Sequence, residues 1–106
     1  MIKRCVFGLA FGLWGAHALA DDLASQGKIV FMEAAQPACS ICHTLSDAGA
    51  TGEIGPNLDE LAPSQEQVRN AVKGGVGLMP AFGDTLTEEQ IKAVAHYVAS
   101  ITGGGP

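Results

Sequence analysis

Apolar residues follow different rhythms along this chain. Near the N-terminus they run together, from Val6 to Gly15, behind Lys3 and Arg4 and ahead of the small-residue ending Ala18-Leu19-Ala20. Towards the C-terminus they recur at helical spacing. Ile91, Val94, Ala95, Val98 and Ile101 follow the i, i+3, i+4, i+7 rule of an amphipathic helix. Thr87 and Gln90 form a capping-box pattern at its start, Leu86 and Ile91 can staple across it, and Glu88 and Glu89 suit the positive end of its dipole. A second helix opens at Ser64, with Gln67 three residues on, carries Val68 and Val72 on its apolar side, and ends where Lys73 meets Gly74. A further helix is predicted over about Leu23 to Glu33, where Gly27 and Phe31 stack on one face. Between the helices lie the Gly- and Pro-rich stretches "DAGATGEIGPN" and "GGVGLMPAFGD", and no alternating run is long enough to predict a sheet. The pattern predicts an all-α domain with long loops and a frayed tail, "TGGGP". Loops of that length in so small a domain need something to wrap around.

The N-terminal run is too short for a permanent membrane span, and its basic start and A-x-A ending are those of a secretory signal peptide over residues 1–20. Cleavage after Ala20 is expected, an uncleaved N-terminal anchor being the alternative. Cys5 lies too early to be a lipid-attachment site and leaves with the leader. Residues 21–106 then form one domain of 86 residues, without tryptophan, whose aromatics are Phe31, Phe82 and Tyr97. Domains near this size commonly rely on a disulfide, a metal or another staple. Loss of Lys3 and Arg4 shifts the net charge from −5 to −7, with four basic side chains against eleven acidic. Such a surface repels phosphate backbones and anionic membranes, which argues against nucleic acid and stable membrane insertion.

The stretch "CSICH", Cys39 to His43, carries the chemistry. Two thiols one helical turn apart serve a redox disulfide, half a zinc site, or thioether attachment of haem with the following imidazole on the iron. A thioredoxin-like pair belongs after a strand in a βαβ pattern, which is missing here. Zinc wants four ligands, and only a distant His96 is left to add. A plain disulfide leaves His43 without a role. Haem attachment uses all three residues and is the favoured reading. Met79, in "GLMPAF", is a candidate for the opposite side of the iron, because the proline after it disfavours helix and lets the thioether reach inward from an extended loop. A core methionine is the plain alternative. Met32 beside Phe31 reads as packing, and His96 falls on the polar side of the last helix.

With these residues the mature chain, from Gly27 to about Ile101, resembles a class I c-type cytochrome. The resemblance implies the cytochrome c fold: three to four short helices and long loops around one covalently attached haem c, bound by Cys39 and Cys42. It implies His43 and Met79 as axial iron ligands, and the Pro56 carbonyl, in "GPNL", as acceptor for the free Nδ1 proton of His43. It also implies a crossing of first and last helices at Gly27, Phe31 and Tyr97. Arg69 is a weaker candidate for a haem propionate, a solvated helix face being its default.

The function implied is a periplasmic one-electron carrier, cycling its haem between Fe(III) and Fe(II) and shuttling electrons from a dehydrogenase to an oxidase or another cytochrome. With no cluster of acid, base or nucleophile, no enzyme activity is expected. Partners should be redox proteins with a basic docking surface. "GPNLDEL" and "GGVGLMPAFG" are similar to small cytochromes that serve sulfite dehydrogenases, as subunit or as acceptor, and also resemble the soluble carriers of photosynthetic chains; the close alternative is a haem c subunit of a larger oxidoreductase. A haem sensor or peroxidase with a labile methionine is the alternative of another class.

Overall fold

The computed structural model describes residues 14–106. Most of the expected leader, residues 1–13, lies outside the described residues. Five α-helices follow in order: α1 (Trp14–Ile29), α2 (Cys39–Cys42), α3 (Leu58–Leu61), α4 (Gln65–Gly74) and α5 (Glu88–Thr102). α1 starts earlier than the sequence pattern predicts. No Pro or Gly separates the strong helix formers Ala18, Leu19 and Ala20 from Leu23, so the helix runs on through them. At its other end it widens into one π-helical turn, Val30–Ala34, closed by the Ala35 amide donating to the Val30 carbonyl at 3.0 Å. Pro37 then disfavours helix at Gln36 and ends the element.

α1 and α5 cross where Gly27 meets Ala93 and Tyr97. Phe31 and Tyr97 pack edge to face beside the crossing, with ring centroids 6.2 Å apart. The Tyr97 hydroxyl donates to Asp47 at 2.5 Å, and Lys28 from α1 approaches the same carboxylate at 3.6 Å. Burial, then the Asp47 bond and the Asp47 and Asp59 charges, pushes the phenol well above its ordinary range.

Both capping boxes form as expected. Ser64 accepts from the Gln67 amide at 3.1 Å and Thr87 from the Gln90 amide at 3.1 Å, and each glutamine accepts in return from its capping residue's own amide. Leu86 and Ile91 are both buried, as a staple requires. The stripe on α5 is broader than its periodicity suggests, since Ala93, Tyr97 and Ala99 are buried too while Ile101 is 38% exposed. One side of α5 meets α1 and the other faces a cavity, so a single-face pattern under-describes it.

Three features depart from the expectation. A short antiparallel pair, β1 (Thr44–Leu45) with β2 (Ala50–Thr51), registers Leu45 opposite Ala50, and both are buried. Two-residue strands are too short for alternation to reveal. α3 is a single turn capped by Asn57, whose side-chain oxygen accepts from the Asp59 and Glu60 amides. The tail is docked rather than frayed: the Gly105 carbonyl accepts from the Gln65 amide at 2.9 Å, satisfying one of the free donors at the start of α4. Among the described residues no helix is long and apolar enough to cross a membrane.

Candidate functional site

A cavity of about 500 Å³ lies between α2, α4, α5 and the two long loops. Phe31, Val68, Val72, Phe82, Val94 and Val98 supply apolar walls. Cys39, Cys42, His43, Pro56 and Met79 all line it, so the fold brings these five candidates together. No Asp, Glu, Lys or Arg lines it among the described residues. Arg69 is exposed and does not line the cavity. Met32 also lies off the cavity and is 37% exposed, less packed than expected. His96 is half-buried rather than fully solvated, its Nε2 3.5 Å from the Ser100 hydroxyl in a separate depression.

The helical turn of α2 puts the Cys39 and Cys42 side chains on the cavity wall. After α2 the chain becomes extended at His43 (φ −114°, ψ 139°), and the His43 Nδ1 lies 2.7 Å from the Pro56 carbonyl oxygen. A carbonyl can only accept, so Nδ1 carries the proton and Nε2 is left with a lone pair for a metal. The loop backbone lies flat on this ring: a Cβ added at Gly55 would come within 2.6 Å of the imidazole.

Contacts that spacing does not disclose hold this loop. The Gly55 amide donates to the Cys42 carbonyl at 2.7 Å, the Thr44 hydroxyl donates to the Gly52 carbonyl at 2.8 Å, and the Ser46 amide and hydroxyl both donate to Asp59 at 2.9 and 2.8 Å. The β1–β2 hairpin thus staples both ends of the segment that presents Pro56. Met79, also on the cavity lining, sits in a tight turn in which Val76 and Met79 exchange backbone hydrogen bonds of 3.1 and 2.8 Å. Two thiols, an imidazole nitrogen with fixed tautomer and a thioether in an apolar slot match the donor set of haem c.

A family model described as "Cytochrome C oxidase, cbb3-type, subunit III" matches residues 22–98, and the chain belongs to that family as a class I c-type cytochrome with covalently bound haem c. Among individual proteins, the chain is similar to the crystal structure of the c-type cytochrome SorU from Sinorhizobium meliloti. The TM-score is 0.75 and the identity 49%, covering 80% of this chain and 97% of that one. It is 38% identical over 93 residues to chloroplastic cytochrome c6 of Chlamydomonas reinhardtii, covering 78% of this chain and 57% of that protein. It is 32% identical over 95 residues to the cbb3-type cytochrome c oxidase subunit FixP of Azorhizobium caulinodans, covering 77% of this chain and 30% of that protein. The chain therefore spans somewhat over half the length of that cytochrome c6 and under a third of FixP.

Proposed function

We propose that this cytochrome is a periplasmic one-electron carrier with His43 and Met79 as axial ligands and no enzymatic activity of its own. The observation that carries the reading is the 2.7 Å contact of His43 Nδ1 with the Pro56 carbonyl, in a charge-free cavity that Met79 also lines. Bound haem c supplies a single reversible electron. Pro56 fixes the tautomer of His43 and keeps Nε2 basic, while the apolar walls exclude water. A thioether opposite the imidazole favours a higher potential than a second nitrogen would. A closed sixth position also favours electron exchange over gas or peroxide binding.

The test is spectroscopic. Wild-type ferric protein should show the weak near-red band of an iron–thioether bond, and Met79→Ala should lose it, lower the reduction potential and let the ferrous form bind carbon monoxide. Wild type without the band, or binding carbon monoxide readily, would instead favour a sensor or peroxidase.

The mature charge of −7 fits a partner with a basic docking surface, and added salt should slow that encounter. Similarity to SorU and the likeness of "GPNLDEL" to sulfite-dehydrogenase cytochromes support a sulfite-oxidising enzyme as electron donor. Rapid reduction of the purified cytochrome by such an enzyme, dependent on sulfite, tests this pairing; no reduction rejects it. A second reading, a permanent haem c subunit, draws on the family match and the FixP relative. Size exclusion of the native periplasmic protein separates the two. Cleavage after Ala20 is part of the proposal and is read from the mass of the exported chain.

A further inference from the structure

The loop carrying Met79 is also the C-terminal cap of α4, and one glycine makes that double use possible. Three carbonyls at the end of α4 lack partners within the helix and are satisfied by the loop. The Gly75 amide donates to Ala71 at 2.8 Å, and on the return leg the Phe82 and Gly83 amides donate to Val72 and Lys73 at 2.8 and 3.2 Å. The loop thus closes at its base, with Phe82 buried against Val72, while the Val76–Met79 turn closes its tip. Gly75 stands where outgoing and returning strands of the loop touch. Its backbone has φ 75° and ψ 164°, a region that is essentially glycine-only. A Cβ there would come within 2.7 Å of the Met79 carbonyl oxygen and 3.0 Å of the Ala81 amide nitrogen. Both are backbone atoms, which cannot rotate aside. Gly77, two residues on in the same loop, also has positive φ (55°), but a Cβ there would meet nothing within 4 Å.

We infer that Gly75 is a positioning residue for Met79: by lacking a side chain it lets the returning strand lie directly on the end of α4, and so holds the thioether at one place on the cavity wall. The inference rests on Met79 being the axial ligand. Any side chain at Gly75 pushes the Met79 backbone outward, whereas one at Gly77 disturbs only local conformation.

The test compares Gly75→Ala and Gly77→Ala in the haem-loaded protein. Gly75→Ala should weaken or abolish the near-red band and raise the apparent affinity of the ferric form for imidazole, which competes with the thioether, by about tenfold or more. Gly77→Ala should retain the band and bind imidazole as weakly as wild type. Equal behaviour of the two variants, or a Gly75→Ala protein indistinguishable from wild type, overturns the inference. Absence of the band from wild type overturns the Met79 ligation itself, so the two failures are distinct. Should Gly75→Ala fail to load haem, amide hydrogen exchange of wild type with and without imidazole decides. The Val76 amide, bonded to the Met79 carbonyl, should exchange about tenfold faster once imidazole displaces the sulfur; unchanged exchange rejects the coupling of turn and ligand.

Discussion

Replacing Gly27 by alanine tests the crossing that holds α1 against α5. Gly27 lies inside α1, so alanine suits the backbone there and, by helix propensity alone, should stabilise the chain by about 1 kcal/mol. The packing opposes this. The new methyl would fall on the Ala93 carbonyl oxygen and within 2.5 Å of the Tyr97 Cβ, against an ordinary contact beginning at 3.4 Å, so the helices would have to part by about 1 Å or more. Parting them loosens Phe31, Tyr97 and Val98, all nearly fully buried. Overpacking of this kind costs about 1–3 kcal/mol, and a backbone obstacle puts it at the upper end, leaving a net loss of about 1–2 kcal/mol. For a domain of this length that lowers the melting midpoint by about 5–15 °C. The assay is thermal unfolding of the haem-loaded protein by far-ultraviolet circular dichroism, with Gly49→Ala as control. Gly49 has φ 63° but nothing within 4 Å, so its alanine pays only for conformation, about 1 kcal/mol. A Gly27→Ala midpoint equal to or above wild type would refute the claim that the close helix approach requires glycine.

Tyr97→Phe removes the 2.5 Å bond to Asp47; because that carboxylate is half exposed and can rehydrate, a loss of about 1–2 kcal/mol is expected, short of a fully buried charged bond. The same variant has a pH signature. The folded phenol keeps its proton above its ordinary value of about 10, so above that pH the folded chain binds more protons than the unfolded one and stability falls as pH rises. Melting curves should show this alkaline loss in wild type and less of it in Tyr97→Phe; equal slopes would reject it. Ser64→Ala should cost about 0.5–2 kcal/mol by opening the α4 capping box, read from denaturant midpoints. Cys39→Ser with Cys42→Ser should yield exported chain whose mass is that of the polypeptide alone, since both thioethers are lost; retained covalent haem would place the attachment elsewhere.

Much of the helical content was legible because helix signals are local. Thr87 with Gln90, and Ser64 with Gln67, sit three residues apart and act within one turn, so their boxes form whatever the rest of the chain does. Where an element depends on distant partners the pattern misled or fell silent. Ile101 fits the apolar stripe of α5 yet is exposed, because the helix has rotated to serve both α1 and the cavity. The β1–β2 pair has no alternation to read, and its Ser46–Asp59 and Thr44–Gly52 bonds join residues eight to thirteen apart through side chains that look like ordinary loop polarity. "TGGGP" looked free because glycines lack local preference, but the Gln65 amide needed an acceptor and the tail's carbonyl supplied it.

The kind of cofactor was written in five consecutive residues, since covalent attachment and the neighbouring imidazole need only the geometry of one helical turn, Cys39 to His43. Where the other candidate residues sit was decided by tertiary structure. Pro56 meets His43 across thirteen residues, and Met79 reaches the same cavity from a loop anchored on α4. Such meetings depend on α1, α4 and α5 burying their apolar faces together, a condition that no short segment can satisfy or reveal by itself.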